Sequence, residues 1–189
     1  MRRQTYEKAV EVSKDLPAEE PTGFVAPARY AHVDQSYTGA LEVLEDNLPL
    51  EAYIRSQTRW GIINVWRPIK SITREPFAAC DARTVEDEDL VGRRTMLPKK
   101  GSGTYDGISR GESFEVWIAK ASPKHQWWYQ SHMTPGEVMF VKCFDSKKDG
   151  RARRSPHSAF VDPKTKDVRE PRESIETRCL VFWEDQEVE

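Results

Sequence analysis

Eight short runs rich in β-branched and aromatic residues, each cut off by a turn signal, are the strongest constraint on how this chain can fold. They are RYAHVD (29–34), RWGIINVWRPI (59–69), PFAACDAR (76–83), FEVWIAK (114–120), QWWYQ (126–130), EVMFVKCFD (137–145), HSAFVD (157–162) and SIETRCLVFW (174–183). Thr134-Pro135-Gly136 and Asp149-Gly150 mark two of the turns between them. Runs this short at this spacing leave no room for repeated crossover helices, so a sandwich or jelly roll is expected rather than a parallel sheet. Helical periodicity is confined to one place. Leu41, Leu44 and Leu48 recur at helical spacing and predict a short amphipathic helix over 38–48, which Pro49 interrupts; Glu51 to Gln57 form a second piece. Residues 84–112 are polar and charged and read as one long loop.

With 189 residues the chain is long enough for one domain with a substantial core and too short for two. Residues 1–27 are a polar lead-in carrying Pro17, Pro21 and Pro27, with a short helix expected from Tyr6 to Lys14; residues 28–184 hold the core. The net charge of -2 exerts no overall pull on nucleic acid or an anionic membrane. No apolar run approaches membrane-spanning length, and the N-terminus lacks the apolar centre of a secretory signal. Three widely spaced cysteines, Cys80, Cys143 and Cys179, suit buried reduced thiols in a cytoplasmic protein better than a disulfide framework.

Chemistry enters with His32-Val33-Asp34. Residues two apart on a strand share a face, so an imidazole and a carboxylate project into one space. His157, at the start of a late strand, is the third ligand candidate. Two histidines and a carboxylate on one face, with the opposite positions open, is the donor set of non-haem Fe(II) oxygenases. Such a site needs a cation to hold the far carboxylate of 2-oxoglutarate. Arg172 and Ser174 share a strand face and can grip one carboxylate together; Arg178, of the same parity, is the competing candidate. The order H-x-D, H, R-x-S is the order in which a double-stranded β-helix delivers these groups.

The chain resembles a fungal hydroxylase/desaturase family that includes gibberellin desaturase-like enzymes and the aspergillic-acid-pathway hydroxylase, and that also carries a 7α-cephem-methoxylase label. The resemblance rests on AHVDQS (31–36), RWGIINVWRPI (59–69), PFAACDAR (76–83), EVMFVKCFDSKKDGRAR (137–153), PHSAF (156–160) and PRESIETR (171–178), in family order over residues 28–184. It implies a mainly β fold, a cupin-like double-stranded β-helix (jelly roll) with one or two short helices. It implies oxidation of a small secondary metabolite, by hydroxylation or desaturation, with Fe(II), 2-oxoglutarate and O₂. It also implies that Asn64, Trp66 and Arg67 lie near the substrate pocket. Family members carry a further stretch before the H-x-D strand, so the chain reads as an N-terminally shortened relative. Arg154 stands where the family pattern leads one to expect an aromatic residue.

Two other functions are alternatives. A shortened, non-catalytic relative or binding protein is the alternative that the missing stretch suggests. A methyltransferase follows from the methoxylase label, but no Gly-rich nucleotide loop supports it. His125 and His132 read as surface or loop histidines without a carboxylate partner at same-face spacing. Asp81 and Arg83 read as an internal ion pair on one strand face. Asp145 and Ser146 read as turn-capping groups, and Arg151, Arg153 and Arg154 as a solvated basic loop.

Overall fold

The computed structural model describes residues 2–3, 27–96, 113–165, 167, 168 and 170–188. Among them are ten strands and two helices. These are β1 (Arg2–Arg3), β2 (His32–Val33), α1 (Tyr37–Asn47), α2 (Ala52–Arg55), β3 (Thr58–Pro68), β4 (Phe77–Cys80), β5 (Leu90–Met96), β6 (Ser113–Ala119), β7 (Trp127–Tyr129), β8 (Met139–Asp145), β9 (His157–Ala159) and β10 (Ser174–Glu187). They form two sheets, a four-stranded one in the order β1-β10-β3-β8 and a six-stranded one in the order β5-β6-β2-β9-β4-β7. Every pairing is antiparallel. This is the mainly β architecture expected from the short apolar runs.

The core is one cluster supplied by both sheets and α1. Trp60, Ile62, Trp66, Val141 and Phe144 come from the four-stranded sheet, Val33, Phe77, Phe114 and Val116 from the six-stranded one, and Val43 and Leu44 from the helix. Strand alternation produces this. Along β3, Trp60, Ile62, Asn64 and Trp66 are buried, while Ile63 and Val65 between them are only partly covered and Arg67 is exposed. Burying an aromatic or large aliphatic side chain contributes about 1.5–3 kcal/mol, so this one face of β3 holds the sheet to the interior. Its other face carries Ile63 and Val65 between Arg59 and Arg67, and Phe140, opposite Val65, is 67% exposed. A shallow hollow there is lined by Val65, Arg67, Pro68, Ile69, Ile175 and Thr177.

Helix α1 begins where the H-x-D segment ends. The Ser36 hydroxyl caps it by accepting a hydrogen bond from the Gly39 amide at 2.9 Å, and donates one to Glu115 Oε1 at 2.6 Å. The Ser36 amide donates to the Glu115 carbonyl at 3.0 Å. Gly39 permits this contact, because a Cβ there would lie 1.9 Å from the same carbonyl oxygen.

Several expectations need correction. The segment 84–112 is not all loop, since β5 pairs with β6 over Leu90–Met96. Its side chains are mostly exposed, so backbone pairing creates an edge strand without an apolar pattern. Asp81 and Arg83 do pair, but not on a strand face: Asp81 caps the short helical turn Ala82–Thr84, and Arg83 is exposed. Asp145 does more than cap a turn. Fully buried, it takes Arg59 Nε and NH2 at 3.1 and 2.7 Å and Lys142 Nζ at 2.9 Å, tying β3 to β8. Burial pushes its carboxyl up, but these cations outweigh that and hold it below the usual range. Arg154 is not solvated: it is buried and donates to the Val85 carbonyl and to Asp87. His125 is not a surface residue either, because its side chain is covered and its Nε2 meets Asp89 Oδ2 at 2.9 Å. The helix expected from Tyr6 to Lys14 lies outside the described residues.

Because the Glu115 carbonyl cannot retreat from a methyl group, Gly39→Ala is expected to destabilise the fold by about 1–3 kcal/mol, read as a lowered urea midpoint.

Candidate metal centre

Strands β2 and β9 are antiparallel neighbours, and His32 lies directly opposite His157. Their rings approach to 4.5 Å between centroids. Asp34, two residues on from His32, returns its carboxylate to the same face, while the intervening Val33 is fully buried the other way. Asp34 Oδ1 lies 3.5 Å from His32 Nε2 and 3.9 Å from His157 Nε2. One ligand atom from each residue falls within 4.8 Å of the others, and among the described residues no other such group of histidine, cysteine and carboxylate side chains forms. The three residues singled out from the sequence meet.

The other ring nitrogens are already committed. His32 Nδ1 lies 2.8 Å from the Tyr30 carbonyl and His157 Nδ1 lies 3.0 Å from the Ser155 carbonyl. Donation to a carbonyl oxygen fixes the proton on Nδ1 and leaves the Nε2 lone pair facing Asp34, which is how metal-binding imidazoles are oriented. Three ligands at about 2.0–2.2 Å from one ion and at right angles to each other are about 3 Å apart. The measured separations are close enough for small side-chain rotations to reach that spacing, so the donors fit a divalent cation.

The second carboxylate oxygen belongs to a different network. Asp34 Oδ2 accepts from Arg178 NH2 at 2.9 Å and from Asn64 Nδ2, and the Cys143 thiol lies 3.8 Å away. Burial is the largest influence on Asp34 and would raise its pKa, but the charge of Arg178 and the two imidazoles together hold it well below the carboxylate range. For His157, burial and the neighbouring His32 bring the value down to about 4 despite Asp34. For His32, burial also pulls down, but the hydrogen bond and charge of Asp34, the Tyr30 carbonyl and Glu176 outweigh it and leave the value above 6.5. Cys143 is pushed well up by burial and by Asp34, so it stays a thiol and not a thiolate ligand.

The remaining sequence candidates divide. Arg172 is buried, donates from NH1 to the Glu75 carbonyl at 2.9 Å and lies 5.5 Å above the Trp66 ring. Glu75 presents that carbonyl from a left-handed conformation (φ 51°) that non-glycine residues rarely adopt. Burial lowers the Arg172 guanidinium to about 10, against the pull of Glu75 and Glu176, so it remains cationic at neutral pH. The hydroxyl of Ser174, also buried, and Arg178 NH1 have no hydrogen-bond partner among the described residues. Buried donors of this kind are costly unless something else accepts from them. Asn64 sits behind Asp34 and Trp66 stands in the core beside Phe77, 4.9 Å between ring centroids. Arg67 is exposed on the outer face of the sheet, against the Pro135 carbonyl, and so points away from the three candidate ligands. Phe77 was missed from sequence although it stacks on His157 at 5.3 Å; only the register of β4 against β9 reveals it.

The profile of a family described as "Oxidoreductase/YMDC permease-like domain" matches residues 1–182. The chain is 46% identical over its full length to the hydroxylase/desaturase efuI of Hormonema carpetanum, covering 63% of that protein. It is 44% identical over its full length to the hydroxylase/desaturase CTB9 of Cercospora beticola, covering 57% of it. The chain thus spans about three-fifths of the length of these curated relatives. Among solved structures it resembles the iron and alpha-ketoglutarate-dependent endoperoxidase NvfI, with a TM-score of 0.71 and 30% identity over 88% of this chain and 58% of that one. The fold is therefore that of an iron and alpha-ketoglutarate-dependent oxygenase.

The histidine shifts give opposite pH signatures in metal-free protein. Below pH 6.5 the unfolded chain binds a proton that folded His157 refuses until about pH 4, so His157 draws stability down as pH falls through that window. His32 acts in the other sense, its contribution present below 6.5 and lost as pH rises through its raised folded value. His157→Gln removes the first effect. Chemical denaturation should show the wild type losing up to about 3 kcal/mol relative to this variant between pH 6.5 and 4.

Proposed function

The chain belongs to the fungal hydroxylase/desaturase family, and from that premise we propose that it is an oxidoreductase using Fe(II), 2-oxoglutarate and O₂ to hydroxylate or desaturate a small secondary metabolite. The observation that carries this reading is the convergence of His32 Nε2, His157 Nε2 and one oxygen of Asp34, with both Nδ1 atoms committed to carbonyls. Two imidazoles and a carboxylate hold Fe(II) while leaving positions for a chelating acid and O₂. Bound there, iron and 2-oxoglutarate supply the activation of O₂ and the hydrogen abstraction, with succinate and CO₂ as coproducts.

The chain's own residues supply position and environment. Asp34 and the two histidines hold the ion against one face of the six-stranded sheet. Arg172, cationic and buried, offers its guanidinium to the distal carboxylate of 2-oxoglutarate, and the unpartnered Ser174 hydroxyl gives a second donor. Trp66 and Phe77 pack beside Arg172 and His157 and keep water from that side. Asn64 and Trp66 border the pocket through these contacts, whereas Arg67 takes no part in it. No helix among the described residues is long and apolar enough to cross a membrane. Three free cysteines suit a reducing cytoplasm, where we place the enzyme. Its partners are then the small substrate and O₂, with no nucleic acid.

Two measurements test this. Fe(II)-loaded protein should form succinate from 2-oxoglutarate on a metabolite panel. Asp34→Ala and His157→Ala should each cut that by more than about 100-fold, beyond the 10–100-fold typical of residues that only support the ligands. Arg172→Lys should raise the half-saturating 2-oxoglutarate concentration about tenfold, because an ammonium cannot replace a two-pronged guanidinium. No succinate from folded, iron-loaded protein overturns the proposal.

A further inference from the structure

The carboxylate of Asp34 has two oxygens in two different environments. Oδ1 faces both imidazole Nε2 atoms. Oδ2 faces away, towards Arg178, Asn64 and the Cys143 thiol. The donors on Oδ2 are themselves held. Asn64 and Arg178 sit directly opposite each other across β3 and β10. Arg178 Nε donates to Asn64 Oδ1 at 3.3 Å, which fixes the amide so that its Nδ2 must face Oδ2 and Glu176 Oε1, 3.0 Å away. Glu176 Oε1 also lies 3.7 Å from Arg178 NH2. Asn64 is 1% exposed, so it has no room to swing out.

Resting on the metal site proposed above, we infer that Arg178 and Asn64 are positioning residues that keep Asp34 a one-oxygen ligand and so reserve a coordination position for the cosubstrate. A carboxylate binds a metal through one oxygen or through both. Chelation by both would fill a position that a two-toothed acid or O₂ needs. Here Oδ2 can turn to the metal only by abandoning a charge-assisted bond to Arg178 and the amide bond to Asn64, and the buried Asn64 amide finds no water as a substitute. The cluster also carries a negative surplus that favours a cation. Asp34 and Glu176 against Arg178 leave one net negative charge, which a divalent ion more than offsets. This assigns Arg178 to the metal ligand and leaves the distal carboxylate of 2-oxoglutarate to Arg172.

The test uses Mn(II), which reports on its own coordination shell. Wild type, Asn64→Ala, Arg178→Gln and Arg178→Lys are loaded with Mn(II), and water-proton relaxation counts exchangeable waters on the ion. Titration calorimetry then gives the affinities for Mn(II) and for 2-oxoglutarate. Asn64→Ala and Arg178→Gln should hold Mn(II) as tightly as wild type, show one fewer exchangeable water, and bind 2-oxoglutarate at least tenfold more weakly. Arg178→Lys, which keeps a cationic donor for Oδ2, should restore the water count. Unchanged water count and 2-oxoglutarate affinity in both variants overturns the inference. So does a loss of 2-oxoglutarate affinity confined to Arg178→Gln with no change in waters, which would make Arg178 a direct cosubstrate clamp. If Arg178→Gln fails to fold, Asn64→Ala decides alone, since it leaves the charges of the cluster intact. Failure of wild type to bind Mn(II) strikes the metal site itself and is distinguishable from all of these.

Discussion

A carboxylate buried beside two imidazoles and a thiol must be compensated, and Asp34 is compensated from two directions. Arg178 and Asn64 meet one oxygen from the four-stranded sheet. The imidazoles of His32 and His157 meet the other from the six-stranded sheet. The residue therefore ties the two sheets together at the place where chemistry is proposed. Its suppressed pKa, the depressed His157 and the raised Cys143 thiol are three faces of the same balance between desolvation and charge. Replacing Arg178 by a neutral residue would leave the carboxylate with the Asn64 amide and the imidazoles, without the charge that does most to hold its pKa down.

Precise placement depends on rigid neighbours, and the surroundings of the site supply them by packing instead of by loops. Phe77 stacks on His157, Trp66 leans on Phe77, and the Arg172 guanidinium lies over Trp66. This chain of contacts runs from a metal-ligand candidate to the cosubstrate-binding candidate through side chains without alternative room. Close behind it, Glu75 is held in a left-handed conformation, its carboxylate against Arg29 and its carbonyl against Arg172. Backbone strain of that kind persists only where the surroundings over-determine it. Here the groups that over-determine it are the same ones that aim Arg172.

The sequence revealed the candidate ligands more readily than what surrounds them. Period-two alternation puts His32 and Asp34 on one face whatever the rest of the chain does, and that inference held. Strand runs with apolar alternation, such as 59–69, were legible for the same reason. Strand β5 was not, because its exposed side chains carry no burial signal and only its partner defines it. The Asp34–Arg178–Asn64 network was not legible either, since it depends on which residue of β10 stands opposite which residue of β3. The cover over His125 and Arg154 was not legible either: each side chain is buried against a carboxylate, Asp89 and Asp87. In both, a polar side chain is covered because a distant segment brings it an opposite charge, and such long-range pairing leaves no mark in local composition. Arg67 lies on the outer face for a local reason: Trp66 and Asn64 turn inward, so by alternation it turns out.

The one-to-one pairing of His32 with His157 has a consequence for how such a chain can change over time. Alternation means that a single-residue slip between β2 and β9 would turn one imidazole to the far side of the sheet. Insertions in the connecting segments have no such effect, because they alter neither strand. Variation in length is thus tolerated in the connections and forbidden in a few paired residues, so descendants can diverge widely in size and surface while the two imidazoles stay side by side.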